Sequence, residues 1–365
     1  MRIRGIAVVA VVAASVVAAC GGGSSSSSGG ASSGNANASG KKIALLMPET
    51  KTARWEGKDK PLFEQEVAKQ CGAQVVENNA NGDAPTQQSQ AEAALSNGAN
   101  VLVIASVNGT AAAAIATMAK QAGVPVIAYD RLIMNGPINY YVSFDSVQVG
   151  KLEATGLVSA LGSKAQGANV VEINGDPADP NAGYVKQGAH SVLDGKVNIK
   201  KEYDTPMWSP DQAQTEMTQA LTALNNQVDG VLSANDGMAG GAVAAMQAAG
   251  LNPIPPITGQ DAELAAVQRV VTGTQAVTVY KPIAKEANAA ADIACNLAAG
   301  QSVPSNVTNG VTTNNGAGSV PSVLLTPVAV TKTNIKQTVV ADGFWAVSDI
   351  CTAQYAQACT AAGVS

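Results

Sequence analysis

Polar and aromatic side chains with complementary roles follow the apolar runs of this sequence. The acceptors are Asp130, Asn181, Asn235 and Asp261, the cationic donors are Arg54, Arg131 and Lys281, and the aromatic plates are Trp55 and Trp208. Carboxylates and amides accept hydrogen bonds, guanidinium and ammonium groups donate them, and indole rings offer flat apolar faces. A ring that carries several hydroxyls and has apolar C–H faces, as a sugar does, needs all three types. These residues therefore predict a site for such a ligand.

The composition argues against several other kinds of chemistry. Lys and Arg number 22 against 27 Asp and Glu, giving a net charge of −5 without a basic cluster, so nucleic acid is not an expected partner. The single histidine, His190, excludes zinc sites with several histidines, and we expect no metal. His190 falls in a predicted amphipathic helix, where a surface or packing role is expected and a ligand role is the alternative. No Gly-x-Gly-x-x-Gly follows the first apolar run, so no cofactor is expected.

An alternating pattern of strands and helices must position the nine residues. Strands are predicted at residues 43–47, 73–76, 101–105 and 124–128. They are apolar throughout, which favours a parallel sheet covered on both faces. Helices are predicted between them at residues 61–70, 85–97 and 110–121. Gly72, Gly98 and Gly123 lie just past these helices and are expected to cap them.

The same pattern repeats after residue 145. Further strands are predicted at residues 169–173, 197–203, 230–234, 257–259 and 276–279. The helices between them are predicted to begin near Val147, Ala182, Pro210, Gly237 and Ala262. Two doubly wound α/β units fit a chain of 365 residues. Ligands bind beyond the carboxyl ends of the strands in such sheets, and the nine polar and aromatic residues fall there.

The N-terminal 40 residues are predicted to lie outside the fold. Arg2 and Arg4 precede an apolar run at residues 6–19 that is too short to span a membrane, so residues 1–19 are predicted to be a signal peptide. The run ends in Val-Ala-Ala-Cys20, which resembles a bacterial lipobox, although Cys20 beside an ordinary cleavage site is the alternative. Residues 20–40 would be a lipidated cysteine and a flexible Gly/Ser tether. We therefore expect an exported protein, lipid-anchored on the outer face of a bacterial cell membrane.

Four cysteines follow Cys20, and an even number in an exported chain favours disulfides. Cys351 and Cys359 are close enough in sequence to close a C-terminal turn. That pairing leaves Cys71 and Cys295 as a long-range pair. Four cysteines allow three pairings, and buried free thiols are the alternative.

Seven stretches of the sequence resemble the periplasmic sugar-binding proteins of ABC transporters, including those that bind D-xylose. They are ARW at 53–55, VPVIAYDR at 124–131, YYVSFDSVQVGKLEA at 140–154, SANDGMAGGA at 233–242, TGQDAEL at 258–264, TQAVTVYKP at 274–282 and PSVLLTP at 321–327. Each stretch is short, but together they run in order through nearly the whole body of the chain. The family resemblance implies a monomer that binds one monosaccharide, such as xylose, and presents its closed form to a membrane permease.

The resemblance also implies an architecture, which is a clamshell of two Rossmann-like lobes joined by three crossings. The lobes would comprise residues 41–145 with 282–322, and residues 146–281 with 323–365. The crossings would lie near residues 144–147, 280–283 and 320–326. The implied hydroxyl partners are Arg54, Asp130 and Arg131 from the first lobe and Asn181, Asn235, Asp261 and Lys281 from the second lobe and hinge, with Trp55 and Trp208 as stacking rings.

Two segments depart from the family pattern. The loop at residues 174–181 places Asp-Pro-Ala-Asp-Pro before Asn181, and the tail at residues 345–365 has no counterpart that assigns it a role. The leading interpretation is a receptor that delivers sugar to an ABC importer and is not an enzyme. A sugar-sensing receptor of the same fold is an alternative.

A glycosidase-like enzyme is a further alternative, with Asp130 and Asp261 as its paired carboxylates. It would need one carboxyl held protonated, whereas Arg131 and Lys281 would keep both ionised.

Overall fold

A computed structural model describes residues 37–365 of the chain. The predicted signal peptide, Cys20 and most of the predicted tether lie outside this range. Among residues 37–365, no helix is both long enough and apolar enough to cross a membrane. The fold described below is that of the body predicted to follow the tether.

The first half of the chain alternates strands and helices in the order that its apolar runs predict. Its elements are β1 (Lys42–Met47), α1 (Lys60–Gln70), β2 (Gln74–Asn79), α2 (Ala84–Ser96), β3 (Val101–Ile104), α3 (Ala113–Gln121), β4 (Val126–Tyr129) and β5 (Tyr140–Phe144). Gly72, Gly98 and Gly123 follow the three helices with φ of +66°, +79° and +71°. These left-handed conformations confirm the predicted caps, because glycine adopts them without steric cost.

The second half continues the alternation. Its elements are α4 (Ser146–Leu161), β6 (Asn169–Asn174), α5 (Pro180–Leu193), β7 (Asn198–Asp204), α6 (Pro210–Ala223), β8 (Gly230–Ser233), α7 (Asp236–Ala248), α8 (Leu264–Thr272) and β9 (Thr278–Tyr280). The prediction of a strand at residues 257–259 is wrong, since this segment forms a single bridge from Ile257 to Val231. Pro255 and Pro256 precede it and have no N–H to donate to a neighbouring strand.

The chain then returns to the first sheet before it ends. Its remaining elements are α9 (Ile283–Ala298), β10 (Thr312–Asn314), β11 (Ser319–Leu325), β12 (Val328–Val330), α10 (Val347–Ile350) and α11 (Ala356–Ala361). The first sheet has the strand order β10-β11-β5-β4-β3-β1-β2 and is parallel except for β10. The second lobe contains the parallel sheet β7-β6-β8 and the antiparallel pair β12-β9.

Three passages join the two lobes. They lie between β5 and α4, between β9 and α9, and between β11 and β12. The fold is therefore α/β, with two doubly wound lobes and a hinge of three crossings. Strand β11 pairs with β5 as far as Leu325, which puts the third passage between Leu325 and Val328. The lobe boundaries proposed from the sequence remain predictions.

Helices cover both faces of the first sheet, and β1 is buried on both sides. Ile43 and Leu45 pack in the cluster that contains α1 and α9, whereas Ala44 and Leu46 pack in the cluster that contains α2 and α3. The edge strand β2 differs from the prediction of full burial, since its residues alternate between exposed and partly buried. The predicted disulfide between Cys71 and Cys295 is confirmed and joins the end of α1 to α9.

In the second lobe, helices α4 and α5 pack unusually closely on one face of the sheet, while α6 and α7 cover the other. Two glycines permit this approach. A Cβ atom at Gly150 would lie 1.9 Å from the backbone oxygen of Val185, and one at Gly188 would lie 2.0 Å from that of Val147. The glycines therefore set the distance between the two helices.

The C-terminal tail packs against α8 and closes an apolar cluster on the second lobe. The predicted disulfide between Cys351 and Cys359 is confirmed within it. The Trp345 indole Nε1 donates to the carbonyl oxygen of Ala262 at 2.8 Å. From the first lobe, Lys58 Nζ lies 3.9 Å from the centre of the Trp345 ring. The tail, to which the sequence assigned no role, thus contacts both lobes.

Candidate functional site

A cavity lies between the lobes, at the carboxyl ends of their strands. Its lining residues are Thr52, Arg54, Trp55, Asp130, Arg131, Ser146, Asp179, Asn181, Trp208, Asn235, Gln260, Asp261 and Lys281. All nine residues predicted for a ligand site are among them.

Asp130 and Asp261 occupy corresponding places in the two lobes. The backbone N–H of Asp130, directly after β4, donates to the Val142 oxygen at 2.8 Å. The backbone N–H of Asp261 donates to the Val279 oxygen, also at 2.8 Å. Both residues have positive φ, 57° for Asp130 and 90° for Asp261. Such conformations are uncommon outside glycine and often occur at functional sites. Here they bring both carboxylates to the cavity wall.

Arg54 is held by three carboxylates. Its Nε and Nη2 donate to Asp59 at 2.8 and 2.6 Å, its Nη2 also donates to Glu286 at 2.5 Å, and its Nη1 donates to Asp130 at 2.8 Å. Burial alone would lower the pKa of Arg54, but these carboxylates outweigh it and hold the pKa well above its usual value. Arg54 is therefore a permanently charged group in a fixed orientation, and it orients Asp130 in turn.

Two guanidinium groups lie close to the Trp55 ring. The central carbons of Arg54 and Arg131 are 4.7 and 5.2 Å from the centre of its ring. The indole Nε1 donates to Glu49 Oε1 at 2.6 Å, which fixes the ring in its plane. The Arg131 Nη1 donates to the carbonyl oxygen of Ser106 at 3.3 Å. Trp55 thus lines the cavity as a rigid aromatic surface beside two cations.

The second lobe contributes its own aromatic wall. Trp208 is 5% exposed, and its indole Nε1 donates to Asp179 Oδ2 at 3.2 Å. A Cβ atom at Gly175 would lie 2.1 Å from the Trp208 ring, so this position must be glycine for the ring to lie where it does. Asn235 caps α7, and its Oδ1 accepts from the Met238 N–H at 2.8 Å. Its side-chain NH₂ makes no hydrogen bond within residues 37–365 and is available to a ligand.

Lys281 lies at the second passage between the lobes and links the two aspartates. Its Nζ is 3.0 Å from Asp261 Oδ1 and 3.7 Å from Asp130 Oδ2. Burial lowers the pKa of Lys281, but the attraction of Asp261 and Asp130 is stronger and the pKa is raised. The ammonium group therefore stays charged inside the cavity.

Direct contacts join the two walls of the cavity. Asn181 Nδ2, from the second lobe, donates to the backbone oxygen of Asp130 at 3.0 Å and to its Oδ1 at 3.1 Å. Arg131 Nε, from the first lobe, is 3.0 Å from Asp179 Oδ2. Within the second lobe, Ser146 Oγ donates to Asn181 Oδ1 at 3.1 Å and helps to orient the Asn181 side chain. The described conformation is therefore a closed one.

The charges of this site do not suit acid–base catalysis by a carboxylate pair. Burial raises the pKa of Asp130, but Lys281, Arg54 and Arg131 outweigh it and lower the pKa to about 2. Asp130 consequently stays ionised at neutral pH and has no proton to donate. The arrangement instead offers fixed donors and acceptors to a bound molecule.

Sequence reasoning did not assign Thr52, Ser146, Asp179 or Gln260 to the site. Asp179 belongs to the loop that departs from the family pattern, and Gln260 directly precedes the predicted Asp261. Glu49, Asp59 and Glu286 were also missed, although they hold the arginines and Trp55.

A sequence signal existed for Glu286. It interrupts the apolar face of α9, three residues after Ile283 and four before Ala290, and it is completely buried. A charge at such a position needs a buried partner, which is Arg54.

Comparisons with known proteins agree with this geometry. Residues 43–302 match the family model described as a periplasmic binding protein domain. The chain is 41% identical over 320 residues to the D-xylose-binding periplasmic protein of Escherichia coli, covering 86% of this chain and 94% of the relative. It is 40% identical over 317 residues to the protein of that name from Haemophilus influenzae, covering 86% and 92%.

A solved structure is similar throughout. It is an ABC transporter solute-binding protein from Clostridium phytofermentans with bound β-D-glucose, with a TM-score of 0.78 and 31% identity. The match covers 85% of this chain and 100% of that one.

Proposed function

The chain belongs to the periplasmic binding protein family, and from that premise we propose that it binds a monosaccharide between its lobes and delivers it to an ABC importer. It is a binding protein and not an enzyme. D-xylose is the ligand we propose first, because two relatives at 40 and 41% identity carry that sugar in their names. Export to the extracytoplasmic side accompanies this role, since these relatives are periplasmic proteins.

The chemistry of the cavity carries this proposal. A pentose offers hydroxyls that both donate and accept, and the cavity provides cationic donors, carboxylate and amide acceptors, and two indole rings. Most of these groups are already fixed by partners outside the cavity, so little ordering is needed when the ligand binds. We assign direct sugar contacts to the nine predicted residues, which are Arg54, Trp55, Asp130, Arg131, Asn181, Trp208, Asn235, Asp261 and Lys281.

The closed walls of the cavity support a preference for xylose over glucose. Glucose carries a hydroxymethyl group that xylose lacks, and the buried walls, which Asn181 and Arg131 already hold in contact across the cleft, would have to move apart to make room for it. Accommodating or rejecting a group of this size changes binding by about 1–3 kcal/mol. We expect glucose to bind more weakly than xylose by at least tenfold.

The N-terminal segment fits delivery at a membrane. We propose that Cys20 receives a lipid after the signal peptide is removed and that residues 20–40 tether the monomeric body to the outer face of the cell membrane. A flexible chain of this length spans roughly 25 Å on average, which keeps the body within reach of a permease. These residues lie outside the described part of the chain, apart from the last four.

Calorimetric titration of the purified protein with D-xylose, D-glucose, D-ribose and L-arabinose tests the proposal. We expect xylose to bind most tightly with one site per chain. Asp261→Ala should weaken xylose binding by roughly ten- to a hundredfold, because truncating a buried partner leaves polar groups unpaired at about 1–3 kcal/mol. Glu92→Ala, which removes an exposed carboxylate from α2, is the control and should bind like the wild type. Unchanged affinity in Asp261→Ala, or binding of none of the sugars, would contradict the proposal.

A further inference from the structure

A second cluster of charged side chains lies on the second lobe, away from the sugar cavity. Glu172 of β6 and Glu202 of β7 are direct partners in the parallel ladder, so their side chains lie next to each other on one face of the sheet. Helix α5 packs against that face and brings His190 to both. The Nε2 of His190 is 3.2 Å from Glu172 Oε2 and 3.8 Å from Glu202 Oε2. Ligand atoms of all three residues lie within 4.8 Å of one another.

The other ring nitrogen of His190 is held by a carboxylate. Its Nδ1 is 2.9 Å from Asp194 Oδ1, one helical turn along α5. In the tautomer whose Nδ1–H donates a hydrogen bond to Asp194, Nε2 keeps a lone pair that is directed at two carboxylates. Histidines that bind metals in proteins commonly have such a carboxylate partner, because it fixes both the tautomer and the orientation of the ring.

Glu172 supplies independent evidence that a cation belongs here. Its side chain is completely buried, and its carboxylate oxygens accept no well-aligned hydrogen bond among residues 37–365, although His190 Nε2 lies 3.2 Å from Oε2. A buried carboxylate in this condition is costly unless a positive charge compensates it. One carboxylate oxygen of Glu202 has a charged partner, because Lys186 binds its Oε1. The other oxygen, Oε2, faces His190.

We propose that Glu172, His190 and Glu202 bind a divalent transition-metal ion, with Zn²⁺ the best match. Zn²⁺ accepts one imidazole nitrogen and two carboxylate oxygens at about 2.0–2.2 Å, which places tetrahedral ligands about 3.3 Å apart. The 3.2 and 3.8 Å separations need little adjustment to reach that value. His190 and Glu202 are 29% and 36% exposed, which leaves the fourth position to water and provides an entry path. Ca²⁺ and Mg²⁺ prefer six or more oxygen ligands and fit poorly.

The sequence led us to expect no metal, but that expectation rested on the lack of several histidines and does not exclude a site with one. Glu172, His190 and Glu202 are separated by 18 and 12 residues, a spacing that matches no zinc motif, and only the strand ladder and the helix above it bring them together.

Zn²⁺ titration of the full chain by calorimetry in a buffer that does not chelate metals tests the site. Because His190 is the single histidine of the chain, a histidine-dependent signal can come from nowhere else. We expect one Zn²⁺ per chain, and His190→Ala and Glu202→Gln should each weaken binding by at least tenfold. Asp204→Asn is the matched control, because Asp204 lies on the same strand and contacts Lys186 at 3.3 Å but is not a ligand. Co²⁺ should add visible absorption bands typical of a four-coordinate site, which His190→Ala abolishes.

Xylose titration and thermal unfolding of each variant in metal-free buffer establish that it is folded, independently of Zn²⁺ binding. Equal Zn²⁺ affinity in the wild type and His190→Ala would overturn the proposal, because binding would then occur elsewhere. Absence of Zn²⁺ binding at millimolar concentration would also overturn it and would make the cluster an imidazolium bound to two carboxylates. Neither result would bear on sugar binding.

Discussion

Asp236, the first residue of α7, directly follows the cavity residue Asn235. It shows how strongly burial raises the pKa of a carboxyl group there. Its side chain accepts hydrogen bonds from Thr278 and Gln275 at 2.7 Å each, yet burial raises its pKa to about 7. Burial and the charge of Asp236 raise the pKa of the neighbouring Glu263 to about 8. Both groups have pKa values near 4 in an unfolded chain. Between about pH 4 and pH 8 the folded state therefore binds protons that the unfolded state releases, and stability falls as pH rises.

We expect the melting temperature to be about 3–6 °C higher at about pH 5.5 than at about pH 8. Asp236→Asn should reduce the difference, since it removes one of the groups that bind a proton on folding. Asp211 is an exposed residue in the first turn of α6, and Asp211→Asn should leave the difference in melting temperature unchanged. Calorimetric scans across the pH range measure this, and a melting temperature that rises with pH would refute the assignment.

Residue types alone located the nine cavity residues because each follows a strand end, where a doubly wound sheet must gather ligands. Some contacts of the residues that escaped prediction are with partners distant in sequence. Glu286 contacts Arg54 across 232 positions, and Asp59 contacts Tyr129 across 70. The spacing of residues along the sequence does not predict such pairs. The signal that the sequence does contain is a charged residue on an otherwise apolar helix face, which indicates a buried partner.

At the scale of elements, periodicity placed most helices and strands within a few residues of their bounds. Periodicity did not predict the structure correctly where a strand is short or where it pairs with a strand distant in sequence. The segment at Ile257 carries an apolar run without a full ladder, while β10 and β12 are three residues each and depend on distant partners. The tail folds on α8 because its apolar residues cover that helix, a contact that local sequence does not reveal.

The contact of α4 with α5 gives a prediction about stability. Gly188→Ala should destabilise the protein by about 1–3 kcal/mol, because its Cβ would meet the backbone oxygen of Val147 at 2.0 Å and the helices would have to separate. Gly183→Ala, on the same helix with open space around it, should be neutral or stabilising by up to about 1 kcal/mol. Denaturant unfolding of both variants measures the difference. Equal stability would mean that the two helices are not held at this distance.

At the scale of the whole molecule, the site is divided between two bodies connected by three short passages. Arg54, Asp130 and Arg131 precede the first passage, whereas Trp208 and Asp261 follow it, so neither lobe holds the full set of contacts. A sugar that touches both walls binds the closed form more tightly than an open one and shifts the population toward it. A permease could then recognise occupancy as a change of shape.

Solution X-ray scattering with and without saturating xylose tests this movement. A body of this size has a radius of gyration of about 20 Å, and closure should reduce it by a few per cent. Asp261→Ala at the same xylose concentration should show a smaller decrease, because it lacks a contact from the second lobe. Fluorescence of Trp55 and Trp208 should change in parallel, since both rings line the cavity. Xylose binding by calorimetry without any change in scattering would contradict closure, because the two lobes would then already be fixed in the closed arrangement that Asn181 and Arg131 hold across the cleft.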